Sequence, residues 1–357
     1  MPFMFRLLLC LLLLLPVPLL RAQPANGEIF TMRNGFTANY FSALLQDSRG
    51  FIWAGTNEGL NRYDGLLVKK YNTYGAGGLT DAHITCLAED KQGNIWVGTE
   101  FGLNKINPFT ETITRYFEGT GPGSIPFKWC NRLYTDRKGR IWLTTEKGIA
   151  RYEVQTNRFH NTRIKLYNND PKINQFIFGV FEDKQGTLWL AASNGVHHFN
   201  PENNTVRSFA FPGNDKDALR RNTQLCIYEE DETHFLIGTW GGGLVRFNRT
   251  TGSFSPCALE GRTDSPVIFD ILAAQPGNGK KCWLATSSGV LLAEKNNETG
   301  YRVLLPASET AGFIPRSESF RLLYDRQQNL WMSSSSGLYK LSPENNAIQW
   351  LYLPENK

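Results

Sequence analysis

The sequence lacks most of the short motifs that announce chemistry. It has no Cys-x-x-Cys, no Gly-x-Ser-x-Gly, no His-Glu-x-x-His and no phosphate-cradling glycine loop, so no metal, hydrolase or nucleotide signature is available. Five cysteines lie beyond Cys10, at Cys86, Cys130, Cys226, Cys257 and Cys282; their odd number and irregular spacing support neither a disulfide framework nor a zinc site. Histidine is also scarce. The adjacent His197 and His198 would face opposite sides of a strand and cannot chelate one ion together. Helical patterning is absent beyond the N-terminus, and no later stretch approaches transmembrane length. No metal or cofactor is expected.

Residues 1–22 read as a secretory signal peptide: Arg6 supplies the positive start, Leu7–Leu20 the apolar run, and Arg21-Ala22 before Gln23 the cleavage region. An apolar run of 14 residues is short for a bilayer core, which disfavours an uncleaved anchor. The mature chain, 23–357, is therefore expected in the periplasm or outside the cell, with no membrane span. Without Arg6 and Arg21 it carries 36 basic against 33 acidic residues and no basic stripe, which argues against a nucleic-acid partner.

What the chain does have is glycine, at 33 residues, and aromatics at 13 %, both distributed by a repeat. The stretch Glu89–Pro108 is its clearest copy. Asp90 and Gly93 bracket a turn, Ile95-Trp96-Val97 form an apolar strand, and Gly102 opens the next strand. The Trp position recurs at Trp53, Trp96, Trp142, Trp189, Leu236, Trp283 and Trp331, at steps of 43, 46, 47, 47, 47 and 48 residues. Two residues on, the position is always small: Gly55, Gly98, Thr144, Ala191, Gly238, Ala285 and Ser333. A period of this length with several short strands predicts an all-β chain, a single seven-bladed β-propeller of four-stranded antiparallel blades. Ile95 and Trp96 point to opposite faces, so each blade needs neighbours on both sides. Glu28–Asn34 and Ala347–Leu353 both match an outermost strand, and one of them is expected to close the ring and remove its exposed edges. The basic register Arg62, Lys105, Arg151, His198, Arg246 and Lys340 reads as a structural rim of ion pairs.

The motif Asp-x-x-Gly-x-[Ile/Leu]-Trp-x-Gly-Thr-x-x-Gly-Leu-x-Arg resembles the two-component regulator propeller repeat. It stands at Asp47–Arg62, Asp90–Lys105, Asp136–Arg151 and Asp183–His198. Three later copies are degenerate, with His234, Cys282 and Gln328 in place of the usual residues. That repeat occurs in the periplasmic sensor region of hybrid histidine kinases, typical of Bacteroidetes. The resemblance implies the input domain of a carbohydrate-responsive sensor, in which two propellers usually precede a β-domain, a membrane span, a kinase and a receiver. This chain has one ring and no kinase motif, so a second propeller or a sensor-kinase partner is implied, whether the chain is a truncated sensor or free-standing.

Binding is expected where the blades differ. Six connections vary, among them Thr73–Ala82, Glu118–Lys128, Asn168–Asn174 and Pro212–Thr223. They should share a face with the short loops after the Trp strands, whereas the Asp-turn face is repetitive. Trp240, set among glycines, is the foremost candidate to stack on a sugar or peptide; its plainer role is to cover the neighbouring blade. Phe101, Glu58, Glu100, Glu146, Lys147 and Arg316 are candidate contacts, while Trp129 reads as core. Glu58, Glu100 and Glu146 share one loop register, and acids on one mouth could alternatively serve a propeller glycoside hydrolase or lyase. A protein–protein interaction platform is the third reading.

Overall fold

The computed structural model describes residues 27–75, 77–162, 176–213, 216–274, 280–296, 300–304 and 313–342. The signal peptide, Ala347–Leu353 and Asn168–Asn174 lie outside them. The repeat of Glu89–Pro108 folds as read. Strands Ile84–Glu89, Ile95–Thr99, Gly102–Asn107 and Thr112–Glu118 pair antiparallel in chain order, and Ser124–Ile125 adds a short parallel strand outside them. Residues 41–71, 132–162 and 177–209 form equivalent four-stranded meanders. Residues 224–260 and 268–304 form two more, joined into one eight-stranded sheet because Ala258–Glu260 pairs parallel with Gly300–Arg302. The result is an all-β, propeller-like fold of four-stranded antiparallel sheets.

The sheet built from Ser319–Tyr324, Leu330–Ser334 and Leu338–Leu341 takes its fourth strand from the other end of the chain. Gly27–Phe30 runs antiparallel to it, Gly27 opposite Leu341 and Phe30 opposite Leu338. The predicted outer strand Glu28–Asn34 is thus shorter and begins earlier; a single 3-10 turn, Met32–Asn34, carries the chain onward. Around the axis, the first strand of each sheet packs on the first strand of the next, and Ser319–Tyr324 packs on Phe41–Gln46.

The core lies between sheets. One layer joins Trp96, Leu103 and Tyr116 of one sheet to Leu133, Ile141 and Leu143 of the next. Another joins Phe30, Trp331 and Leu338 to Phe36, Phe41 and Ile52, so both chain ends share one apolar layer. All seven residues of the Trp register are buried, Leu236 included. The small position is enforced by close approach: a Cβ on Gly98 would sit 2.4 Å from Cys86 Sγ, and one on Gly55 2.4 Å from Ile84. The basic register stands directly across the ladder from the Trp register, as Arg62 does from Trp53 and Lys105 from Trp96. Its role is broader than ion pairing. Lys105 Nζ lies 5.5 Å from the Trp96 ring, and Lys340 Nζ 5.7 Å from Trp331 while 2.7 Å from Glu28.

Three readings need correction. Lys216–Asn222, read as part of a loop, is a short helix; its Ala218 packs into the apolar layer beside Trp189 and Phe247. Trp129 is not core but 42 % exposed. Cys130, whose place in the repeat predicts a buried residue on an innermost strand, precedes the first strand of its sheet, although it is buried.

Candidate functional site

The two loop series meet on one face through backbone hydrogen bonds. Trp240 N–H donates to Thr223 O at 2.8 Å, Ser193 to Phe176 O at 2.9 Å, Ser287 to Val267 O at 3.0 Å and Ser335 to Glu318 O at 2.8 Å. Each bond ties the short loop after a Trp strand to the variable connection entering the same sheet. The opposite face is stapled from sheet to sheet. Ser48 N–H donates to Glu89 Oε2 at 2.7 Å, Arg137 N–H to Glu182 Oε2 at 2.8 Å, and Arg326 N–H to Gln46 Oε1 at 2.8 Å across the chain ends. Its polar groups are occupied in holding the turns.

On the variable face, aromatic side chains from successive sheets form an arc around the mouth of the axis. Tyr40 contacts Phe320 with ring centroids 5.0 Å apart, Phe320 contacts Phe269 at 5.3 Å, and Trp240 meets Phe269 edge-on at 6.2 Å. Phe178 stands at the same position of its strand, stacked with Phe176 at 5.7 Å. A local irregularity generates the arc. Phe178, Phe269 and Phe320 are each the extra residue of a β-bulge near the start of a first strand, where the register slips by one. A bulge re-aims its side chain out of the ladder. Trp240 remains 54 % exposed, so it covers its neighbour with an edge and leaves most of the indole open.

The other candidates divide. Phe101 is half exposed and capped by Lys128 Nζ at 4.5 Å from its ring. Glu100 stands near Tyr40; burial, then Glu318 and Glu100, raises the Tyr40 hydroxyl above its ordinary pKa. Lys147 is held by Glu118 at 2.8 Å and lies 4.9 Å from the Phe127 ring. Glu58 and Arg316 are exposed and Glu146 is half-buried. Tyr40, Phe269 and Phe320 were missed in the sequence. The signal for Phe269 and Phe320 is their shared place one residue before the position opposite the small register.

His197 and His198 part as expected. His197 is buried, with Nδ1 2.8 Å from Ser208 Oγ and Nε2 3.1 Å from Asn194 Oδ1, and burial lowers its pKa to about 3. His198 packs on Trp189 at 4.3 Å. Two clefts open toward the Asp-turn face. One of about 310 Å³ is lined by Gln92, Arg140, Arg151 and Glu153, and one of about 390 Å³ by Arg151, His160 and Glu202. Most of their charges are already paired, Arg140 with Asp136 and Glu202, and His160 with Glu153.

Comparison with known proteins agrees with this fold. Residues 35–58 and 78–101 match the family model of the two component regulator propeller. Those two stretches carry the repeat of that family. Among solved structures it is similar to the extracellular domains of two hybrid two component systems from B. thetaiotaomicron. One is 22 % identical with a TM-score of 0.71, covering 89 % of this chain and 42 % of that one. The other is 20 % identical with a TM-score of 0.67, covering 89 % and 40 %. The chain thus spans about two-fifths of those domains. A virginiamycin B lyase from Staphylococcus aureus is similar at 14 % identity and a TM-score of 0.64, covering 89 % of this chain and 98 % of the enzyme. At these identities the likeness is one of fold. No curated protein matches the chain. Among the described residues no helix is long and apolar enough to cross a membrane.

Proposed function

We propose that the sheets close into one seven-bladed ring that works as a non-catalytic recognition module, the ligand-sensing part of an extracellular sensor. It takes an oligosaccharide at the mouth ringed by Tyr40, Phe320, Phe269 and Trp240. The arc is the observation that carries this reading: contiguous aromatic rings with Tyr40 and Trp240 exposed at its ends, on the one face where the blades differ, suit the flat apolar side of a sugar ring. The adjacency of first strands around the axis supports the blade count. The repeats and the likeness to sensor domains support the role. The mature protein acts in the periplasm or outside the cell, and its output passes through a second propeller or a sensor kinase.

The alternative is an enzyme, since a lyase shares the fold. The nearer likeness in identity and TM-score is to sensor domains, 22 % and 0.71 against 14 % and 0.64 for the lyase, which favours the non-catalytic reading. Calorimetric titration with a panel of oligosaccharides, followed by chromatography of the mixture, tests the proposal. Saturable binding with the sugar recovered intact supports it; turnover contradicts it. A crystal structure with six or eight blades would overturn the ring.

A further inference from the structure

One residue deeper than the bulge aromatics, three charged side chains line the axis: Arg132, Asp270 and Arg321. They share a register, since Arg132 pairs with Thr144, Asp270 with Ala285 and Arg321 with Ser333, each the small position two after the Trp register. Cys86 and Cys226 occupy the same layer opposite Gly98 and Gly238. Burial pushes these thiols up, to about 11 and about 12, so they are neutral at physiological pH. The layer therefore holds two guanidiniums against one carboxylate.

The polar contacts leave that imbalance in place. Arg321 donates through Nη1 to Phe269 O at 3.2 Å and Phe320 O at 3.1 Å, both neutral carbonyls at the aromatic rim. Asp270 Oδ2 accepts the Leu322 N–H at 3.1 Å. Among the described residues no carboxylate makes an ion pair with Arg132 or Arg321. Burial, followed by repulsion from Arg132, lowers Arg321 to about 10, so it stays charged at neutral pH. Two like charges held close are costly, and the Asp270 carboxylate, which attracts Arg321, offsets only one of them, so an added anion is favoured; the planar guanidinium fork matches an oxyanion.

We propose that this layer is an oxyanion subsite, which takes the carboxylate or sulfate of an acidic sugar whose ring stacks on the aromatic mouth. The inference rests on the mouth being the ligand site and adds the ligand's charge.

The test is calorimetry at fixed ionic strength with cellobiose and cellobiouronic acid, which differ in one carboxylate, on wild type, Arg132→Met, Arg321→Met and Trp240→Ala. Wild type should bind the acid at least tenfold more tightly than the neutral sugar, and Arg132→Met should erase that preference. Arg321→Met also removes the carbonyl contacts, so Arg132→Met is the variant that decides. Without ligand, Arg132→Met should melt above wild type, because the repulsion is gone. Equal affinity for the two sugars, binding of neither, or a preference that survives Arg132→Met overturns the subsite. If Trp240→Ala weakens both sugars alike while Arg132→Met changes nothing, the mouth reading stands and the subsite falls. If the acid depends on Arg132 but not on Trp240, the subsite stands and the aromatic mouth falls.

Discussion

Trp96 Nε1 donates to Asp90 Oδ2 at 2.9 Å, joining the repeat's turn to its core. The same carboxylate accepts the N–H groups of Gln92 at 3.0 Å and Asn94 at 2.9 Å through Oδ1. The bond recurs from Trp53 to Asp47, Trp142 to Asp136, Trp189 to Asp183 and Trp331 to Asp325, at 2.8 to 3.0 Å. Where the acid is missing the chain improvises. Trp283 donates to Tyr324 OH at 3.0 Å, and where Leu236 replaces Trp, Glu230 instead binds Arg246 at 2.6 Å.

Asp90→Ala leaves the buried indole N–H and two turn N–H groups without this acceptor. It should destabilise the protein by about 2–4 kcal/mol, since unpaired buried donors are expensive. Denaturant titration measures this, and a loss under about 0.5 kcal/mol would show that the clamp is ornamental.

Gln328 occupies the turn position that Gly50, Gly93, Gly139 and Gly186 fill elsewhere, and it adopts φ 64°. An L-residue pays for that left-handed conformation, whereas glycine does not. Gln328→Gly should stabilise by roughly 0.5 kcal/mol, the strain relieved being partly offset by the looser unfolded chain. The reciprocal Gly93→Gln should cost about 1 kcal/mol. Opposite signs in thermal melts confirm the account; equal signs refute it.

His197 stands where other sheets carry Asn61 and Asn104, which clamp the incoming connection by donating to Thr37 Oγ1 and Thr80 Oγ1, both at 2.9 Å. Because its folded pKa is depressed, the unfolded chain binds the proton first. Stability is therefore complete above about pH 6.5 and is lost progressively as the pH falls toward about 3. Between pH 7.5 and 5 this amounts to about 2 kcal/mol. His197→Asn should flatten that part of the profile. An unchanged slope would mean that other groups govern the acid transition.

The fold was legible because it is written many times over: the Trp, small-residue and glycine registers each repeat in phase, so Leu236 could be placed in the core without an aromatic to mark it. The closing strand was legible in kind, though its start at Gly27 was not. The mouth was half legible. Trp240 announced itself by its glycines, but Phe269 and Phe320 looked like ordinary strand residues, because a bulge leaves no local mark in a single copy. Arg132, Asp270 and Arg321 were hidden for another reason. They lie far apart in sequence, and only the closed ring brings their register together.

Recognition at the variable face is tested most directly by comparing two exposed aromatics on opposite faces. Trp240 lies at the mouth, and Phe109 lies beside the Asp turn, 4.8 Å from the Arg49 guanidinium. Each is replaced by Ala, and affinity is measured by calorimetry for the tightest oligosaccharide that the wild type binds. Trp240→Ala should weaken binding by tenfold or more, as truncating an aromatic anchor does, while Phe109→Ala leaves it unchanged. Unchanged affinity in Trp240→Ala together with a loss in Phe109→Ala would place the ligand on the other face and contradict the account.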